Sequence, residues 1–192
     1  MNRLIISAAL AASALALPTT AFAQTAPILI VDSERILSDC NACKSATTQL
    51  EQKQTALRTR AQTLQQELQA EGKPLQAAVD ALSGKQPGPA LQQKIAAFQT
   101  KEKSAQQELQ SSDQTLKSTV ANVQQQIANK LVTIVDQVRA RRGAAIVLSK
   151  GSTLANDNAI DVTAEVLAAL NQQLPSVSVT PMPQQQQQPQ GR

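Results

Sequence analysis

The chain has 192 residues, 18 basic and 14 acidic side chains and a formal net charge of +4, with no His, Tyr or Trp, two Phe and two Cys. Without His there is no Ser-His-Asp or Cys-His catalysis, and most zinc sites lack a ligand. So few aromatic rings exclude stacking platforms for sugars or nucleic-acid bases, and no glycine-rich phosphate loop follows a strand to bind a nucleotide.

Residues 1–23 read as a secretory signal peptide. Arg3 supplies the positive start, Leu4 to Leu17 the apolar run, and Ala21-Phe22-Ala23 the small-x-small cleavage site. That run is too short to span a bilayer. Cleavage after Ala23 leaves an exported chain in which Phe98 is the one aromatic residue.

Ile28-Leu29-Ile30-Val31, behind Pro27, predicts a short buried strand, and Asp32 or Ser33 offers a cap for a helical turn after it. From about Lys44 to Leu82 the pattern is helical. Leu50, Leu57 and Leu64 recur every seven residues, and Ala61, Leu68, Leu75 and Leu82 form a second series offset by four. Gly72-Lys73-Pro74 interrupts this helix and predicts a kink or hinge, because Pro74 has no N–H and crowds the carbonyl of Ala70.

The cluster from Ser83 to Pro89 is a turn. A second helix runs from about Ala90 to Arg142, beginning with Leu91, Ile95 and Phe98. Leu116, Val120, Val123, Ile127, Leu131, Ile134 and Val138 then follow at gaps of four and three, an eleven-residue repeat close to the natural helical period. Gly143 ends it after three arginines that suit its negative end. Gaps at Gln54, Glu71, Glu102 and Ser112 leave the seam between the helices incomplete, with apolar stripes partly exposed.

Ala144 to Ser149 is a second strand, with a third short strand near Thr153-Leu154-Ala155. A last helix opens near Asp161-Val162-Thr163, capped by Asp161 or Thr163. From Pro175 the Pro- and Gln-rich composition predicts disorder. The predicted fold is thus mainly α with a small β body. Residues 24–43 and 143–174 make that body, and 44–142 form an antiparallel helical hairpin with its tip at about 83–89. The body's folded part, 28–43 and 143–174, has about 48 residues and buries too little apolar surface to stand alone, which predicts a homo-oligomer through its strands, at Ile28, Ile30, Ile146 and Leu148.

The hairpin carries 14 basic and 8 acidic side chains. Lys73, Lys85, Lys94, Lys101 and Lys103 lie on its distal half. They read either as an attractor of acidic polypeptides and anionic lipid headgroups or as an ordinary solvated surface. Leu68, Leu75, Leu82, Leu91, Ile95 and Phe98 read either as packing or as weak multivalent contacts for an unfolded chain. Cys40-Asn41-Ala42-Cys43 fits a structural disulfide, a redox couple or transient metal binding; two Cys alone do not complete a tetrahedral zinc site.

Two end motifs resemble the Skp/OmpH family of periplasmic chaperones. One is Ile30-Val31-Asp32-Ser33-Glu34-Arg35-Ile36-Leu37. The other is Ala145-Ile146-Val147-Leu148 followed by Ala159-Ile160-Asp161-Val162-Thr163-Ala164-Glu165-Val166-Leu167. The likeness covers about residues 28–174; the Cys pair and the Gln-rich tail lie outside the family pattern. It implies a homotrimer with three helical arms around a cavity. It implies a holdase that keeps unfolded outer-membrane proteins soluble in the periplasm without ATP; no cofactor or metal is expected. Lipopolysaccharide headgroups are a further implied partner class; nucleic acid and nucleotides are not. The rivals are a structural coiled-coil adaptor of the envelope and a thiol redox protein using Cys40 and Cys43.

Overall fold

The computed structural model describes residues 27–183. The signal peptide and the cleavage site after Ala23 predicted from sequence, and the tail beyond residue 183, lie outside the described residues.

Strand β1 (Ile28–Val31) leads directly into helix α1 (Ser33–Asp39). Asp32 is the cap: its carboxylate accepts from the Arg35 amide at 2.9 Å. Helix α2 (Asn41–Asp80) starts three residues earlier than the apolar period predicts. The reason is Cys40, whose Sγ accepts from the Cys43 amide at 3.0 Å and so satisfies an amide that the first helical turn would leave orphaned.

The interruption predicted at Gly72-Lys73-Pro74 is absent: α2 is one helix of 40 residues with Pro74 inside it. Pro74 removes one backbone bond from a ladder of dozens, and the partner helix packed alongside holds the rest in line. Gly72 has a packing role instead. A Cβ placed there would meet the ring of Phe98 at 3.0 Å, so glycine lets the two helices approach.

Helix α3 (Pro89–Arg141) returns over 53 residues with Pro89 in its first turn, where a missing N–H costs nothing. It ends in a tight cap. Gly143 takes φ +61°, and the amides of Gly143 and Ala144 bond the carbonyls of Ala140 and Arg139. Strand β2 (Ile146–Ser149) then pairs in parallel with β1, Ile28 opposite Ile146 and Ile30 opposite Leu148. The predicted third strand at Thr153–Ala155 does not form. Lys150–Ser152 is a single 3-10 turn, and among the described residues the other side of β1 carries only an isolated bridge from Ile30 to Asp161.

Helix α4 (Thr163–Gln173) closes the base. Asp161 accepts from the Thr163 amide, and the Thr163 hydroxyl accepts from the Asp32 amide, both at 2.9 Å, which ties the helix to the end of β1. Glu165 accepts from Arg141 and Arg142, fixing α4 to the end of α3 and holding the Glu165 carboxyl below its ordinary pKa.

The core sits in the base, where Leu29, Val31, Ile36, Val138, Val166 and Leu170 are buried. It extends up the arm through Ile134, Ile127 and Val123, then thins to Leu64 and Ala105. Towards the tip no described residue is fully buried.

The tail departs from the disorder predicted from Pro175. Residues 177–182 lie along α3, with Val177 and Val179 packed on the core. These two valines give the segment an apolar anchor that its polar neighbours hide in a compositional reading.

Candidate functional site

The thinning core defines the candidate site, the distal arm. Leu68, Leu75, Leu82, Leu91, Ile95 and Phe98 are all half-buried. Each shares the seam between the helices yet keeps apolar surface towards solvent, because Glu and Gln occupy the positions that would close the seam. Phe98 lines two open grooves. One, of about 460 Å³, includes Leu64, Leu68, Ala105 and Leu109. The other, of about 550 Å³, includes Pro74, Leu75, Ala97 and Lys94. The two helices thus present a discontinuous apolar strip on a polar rod.

Ion pairs hold the rod where the apolar seam is weak. Arg60 donates from its Nε and a terminal nitrogen to both oxygens of Glu108, at 2.6 and 3.0 Å. Lys101 reaches across to Glu71 and, at 3.4 Å, to Glu67. The bond to Glu71 is the main cause of the raised Lys101 pKa. Lys101 therefore serves the hairpin itself, a role that helical spacing within one strand of sequence does not reveal. Lys73, Lys85, Lys94 and Lys103 are exposed and take part in no ion pair among the described residues.

At the base, the outer face of the two-stranded sheet carries exposed Ile28 (47%), Ile146 (46%) and Leu148 (39%). Ile30, grouped with them from sequence, is only 3% exposed: the bridge to Asp161 and the segment behind it cover it. Strand β2 pairs on one side only among the described residues. Exposed Leu37, Val132 and Leu154 escaped the sequence reading, since Val132 stands off the seam period and Leu154 sits in a turn-rich loop.

Cys40 and Cys43 form a disulfide in which both residues are buried. It joins the end of α1 to the first turn of α2. No group of acidic or sulfur ligands able to hold a metal occurs among the described residues.

The sequence model of a family described as outer membrane protein (OmpH-like) matches residues 27–170. The crystal structure of a suggested outer membrane chaperone (OmpH-like) from Caulobacter crescentus CB15 shares the fold, with a TM-score of 0.67 and 21% identity over 83% of this chain and 92% of that one. No curated protein matches the chain.

Proposed function

The chain belongs to the OmpH-like family, and from that premise we propose that it is an ATP-independent holdase of the periplasm, one that binds unfolded outer-membrane proteins and prevents their aggregation in transit. The observation that carries this reading is the strip of half-buried apolar residues from Leu68 to Phe98 beside four unpaired lysines. Lysines draw in an anionic or partly anionic chain from a distance. The strip then contacts its exposed apolar segments at many weak points, whose combined affinity holds the client while each contact remains breakable. No bond is made or broken, so no residue is assigned as catalytic and no cofactor is required.

On this reading the chain divides into an exported leader (1–23), a base (24–43 and 143–174) and an arm (44–142). The base associates through Ile28, Ile146 and Leu148 as a homotrimer that sets three arms around one client. Burying these three side chains removes an apolar patch and covers the open edge of β2. The lysines also suit anionic lipid or lipopolysaccharide headgroups. The buried disulfide disfavours a thiol redox protein, whose sulfurs need access to a partner thiol. The adaptor reading lacks the large flanking β domains it needs, since the base holds only two short strands among the described residues.

The test dilutes a urea-unfolded outer-membrane β-barrel protein into buffer with the purified chain 24–192, without nucleotide, and follows light scattering at low and high salt. Suppressed scattering near one oligomer per client, weaker at high salt, supports the holdase with a steering role for the lysines. Absence of suppression by a folded oligomer overturns it.

A further inference from the structure

The hydrogen bonds that hold the C-terminal segment on α3 all go to its backbone, beside the packing of Val177 and Val179. The Gln126 side-chain amide donates to the Ser178 carbonyl at 3.0 Å and accepts from the Ser178 N–H at 2.9 Å. One turn towards the tip, Asn122 donates to the Thr180 carbonyl at 3.0 Å. One turn further, the Ser118 hydroxyl accepts from the Met182 N–H at 3.0 Å.

The spacing explains the fit. Four residues of α-helix advance about 6 Å, and two residues of extended chain advance about 6.6 Å. A row of polar side chains every fourth position therefore meets every second residue of a strand running antiparallel to the helix. The alternate residues, Val177 and Val179, turn their side chains onto the apolar core. The hydroxyls of Ser178 and Thr180 bond each other at 2.8 Å and take no part in the grip. Nothing in these four bonds reads the identity of residues 178, 180 or 182.

The seated sequence is Val177-Ser178-Val179-Thr180, strictly alternating apolar and polar. Such alternation is common to half-buried strands, and strands of transmembrane β-barrels share it. We propose that the Ser118–Asn122–Gln126 row is a binding track for the backbone of an extended, alternately apolar polypeptide strand, and that residues 177–182 occupy it as a built-in competitor that an unfolded barrel strand displaces. The displacement rests on the holdase reading; the track deepens it by naming where a client backbone is gripped. Since backbone bonds are common to every client, the track accepts strands of differing sequence. Its own segment, tethered nearby, sets the affinity a client must exceed.

The test measures the dissociation constant of a fluorescently labelled, urea-unfolded outer-membrane β-barrel protein for four forms of the chain 24–192: the parent, a form ending at Leu174, the full-length Ser178→Pro variant, and the shortened form carrying Asn122→Ala and Gln126→Ala. Proline at 178 removes the N–H that Gln126 accepts while leaving α3 intact. Vacating the track by either route tightens binding between about three- and tenfold, and the two alanines in the shortened form cancel that gain. Circular dichroism checks that each form folds; should the shortened form fail, Ser178→Pro with and without the alanines makes the same comparison. Equal affinity of the parent and the vacated forms, or a gain that survives the alanines, overturns the track. Light scattering with the parent distinguishes the two readings. Suppressed aggregation with no gain on vacating the track leaves the holdase standing without it, whereas no suppression removes both.

Discussion

The ring of Phe98 lies over Gly72 so closely that the smallest side chain there would meet its Cζ at 3.0 Å. Gly72 carries an intrinsic helix penalty of about 1 kcal/mol against Ala, so this approach has a measurable counterpart. In the parent, Gly72→Ala gains helix propensity and displaces the ring, and the two effects nearly cancel. In a Phe98→Ala background the same change stabilises by about 1 kcal/mol. Urea unfolding of the four proteins closes the cycle. Additive effects would show that the ring does not rest on Gly72.

The four exposed lysines of the distal arm that take part in no ion pair among the described residues give a prediction about rate. Replacing Lys73, Lys85, Lys94 and Lys103 with Gln slows client association by about tenfold at low salt, with little change at high salt. Stopped-flow mixing with an unfolded client at two ionic strengths measures this. Lys101→Gln instead acts on the hairpin, removing its contacts to Glu67 and Glu71, and lowers the urea midpoint. A quadruple variant with unchanged association would assign the lysines to solubility alone.

Asp161 makes the base sensitive to acid. The bonds from Thr163, first, and from Lys150 at 2.9 Å hold its carboxyl down to about 2, against 3.8 for a free aspartate. A depressed carboxyl stabilises the fold above its unfolded pKa, and that contribution disappears as pH falls through the folded value. Stability of about 2 kcal/mol is therefore lost between about pH 4 and pH 2. Asp161→Asn removes most of this acid limb, so its unfolding free energy changes less across that window than the parent's. Equal slopes would place the acid-sensitive group elsewhere.

The Cys40–Cys43 disulfide closes a small loop at the root of the arm. Changing both to Ser lowers stability by about 2 kcal/mol, while aggregation suppression persists wherever the protein remains folded. Thermal unfolding and light scattering on the same preparation test the two halves. Loss of suppression by a folded double-Ser protein would tie the sulfurs to function.

The apolar ends and the seam periods were enough to place the strands, the long hairpin and its closing helix, because Leu29–Val31 and the Leu series bury or half-bury as their spacing requires and the runs at 28–31 and 146–149 pair in register. Three features escaped for separate physical reasons. Gly72-Lys73-Pro74 carries a local breaker signal that the neighbouring helix overrides. Lys101 has the same intrinsic character as the free lysines and differs only in facing Glu67 and Glu71, some 30 positions earlier in the chain. Ser118, Asn122 and Gln126 are unremarkable helix-surface residues until the chain's own end is laid beside them. In each case the missing information is a partner brought close by the fold.

Asp32 and Thr163 bond across 131 positions of chain, and both parallel strands depend on the same return journey. Contacts of such sequence separation close late, so the base is expected to form after the hairpin. A newly made chain presents β1 first and leaves it without a neighbour until the arm has zipped from its tip and delivered β2. The helical hairpin is thus a folding guide for the base as well as its projection, shortening a closure that a flexible chain would make slowly. Shortening the arm symmetrically about its tip leaves the pairing register intact and speeds formation of the base.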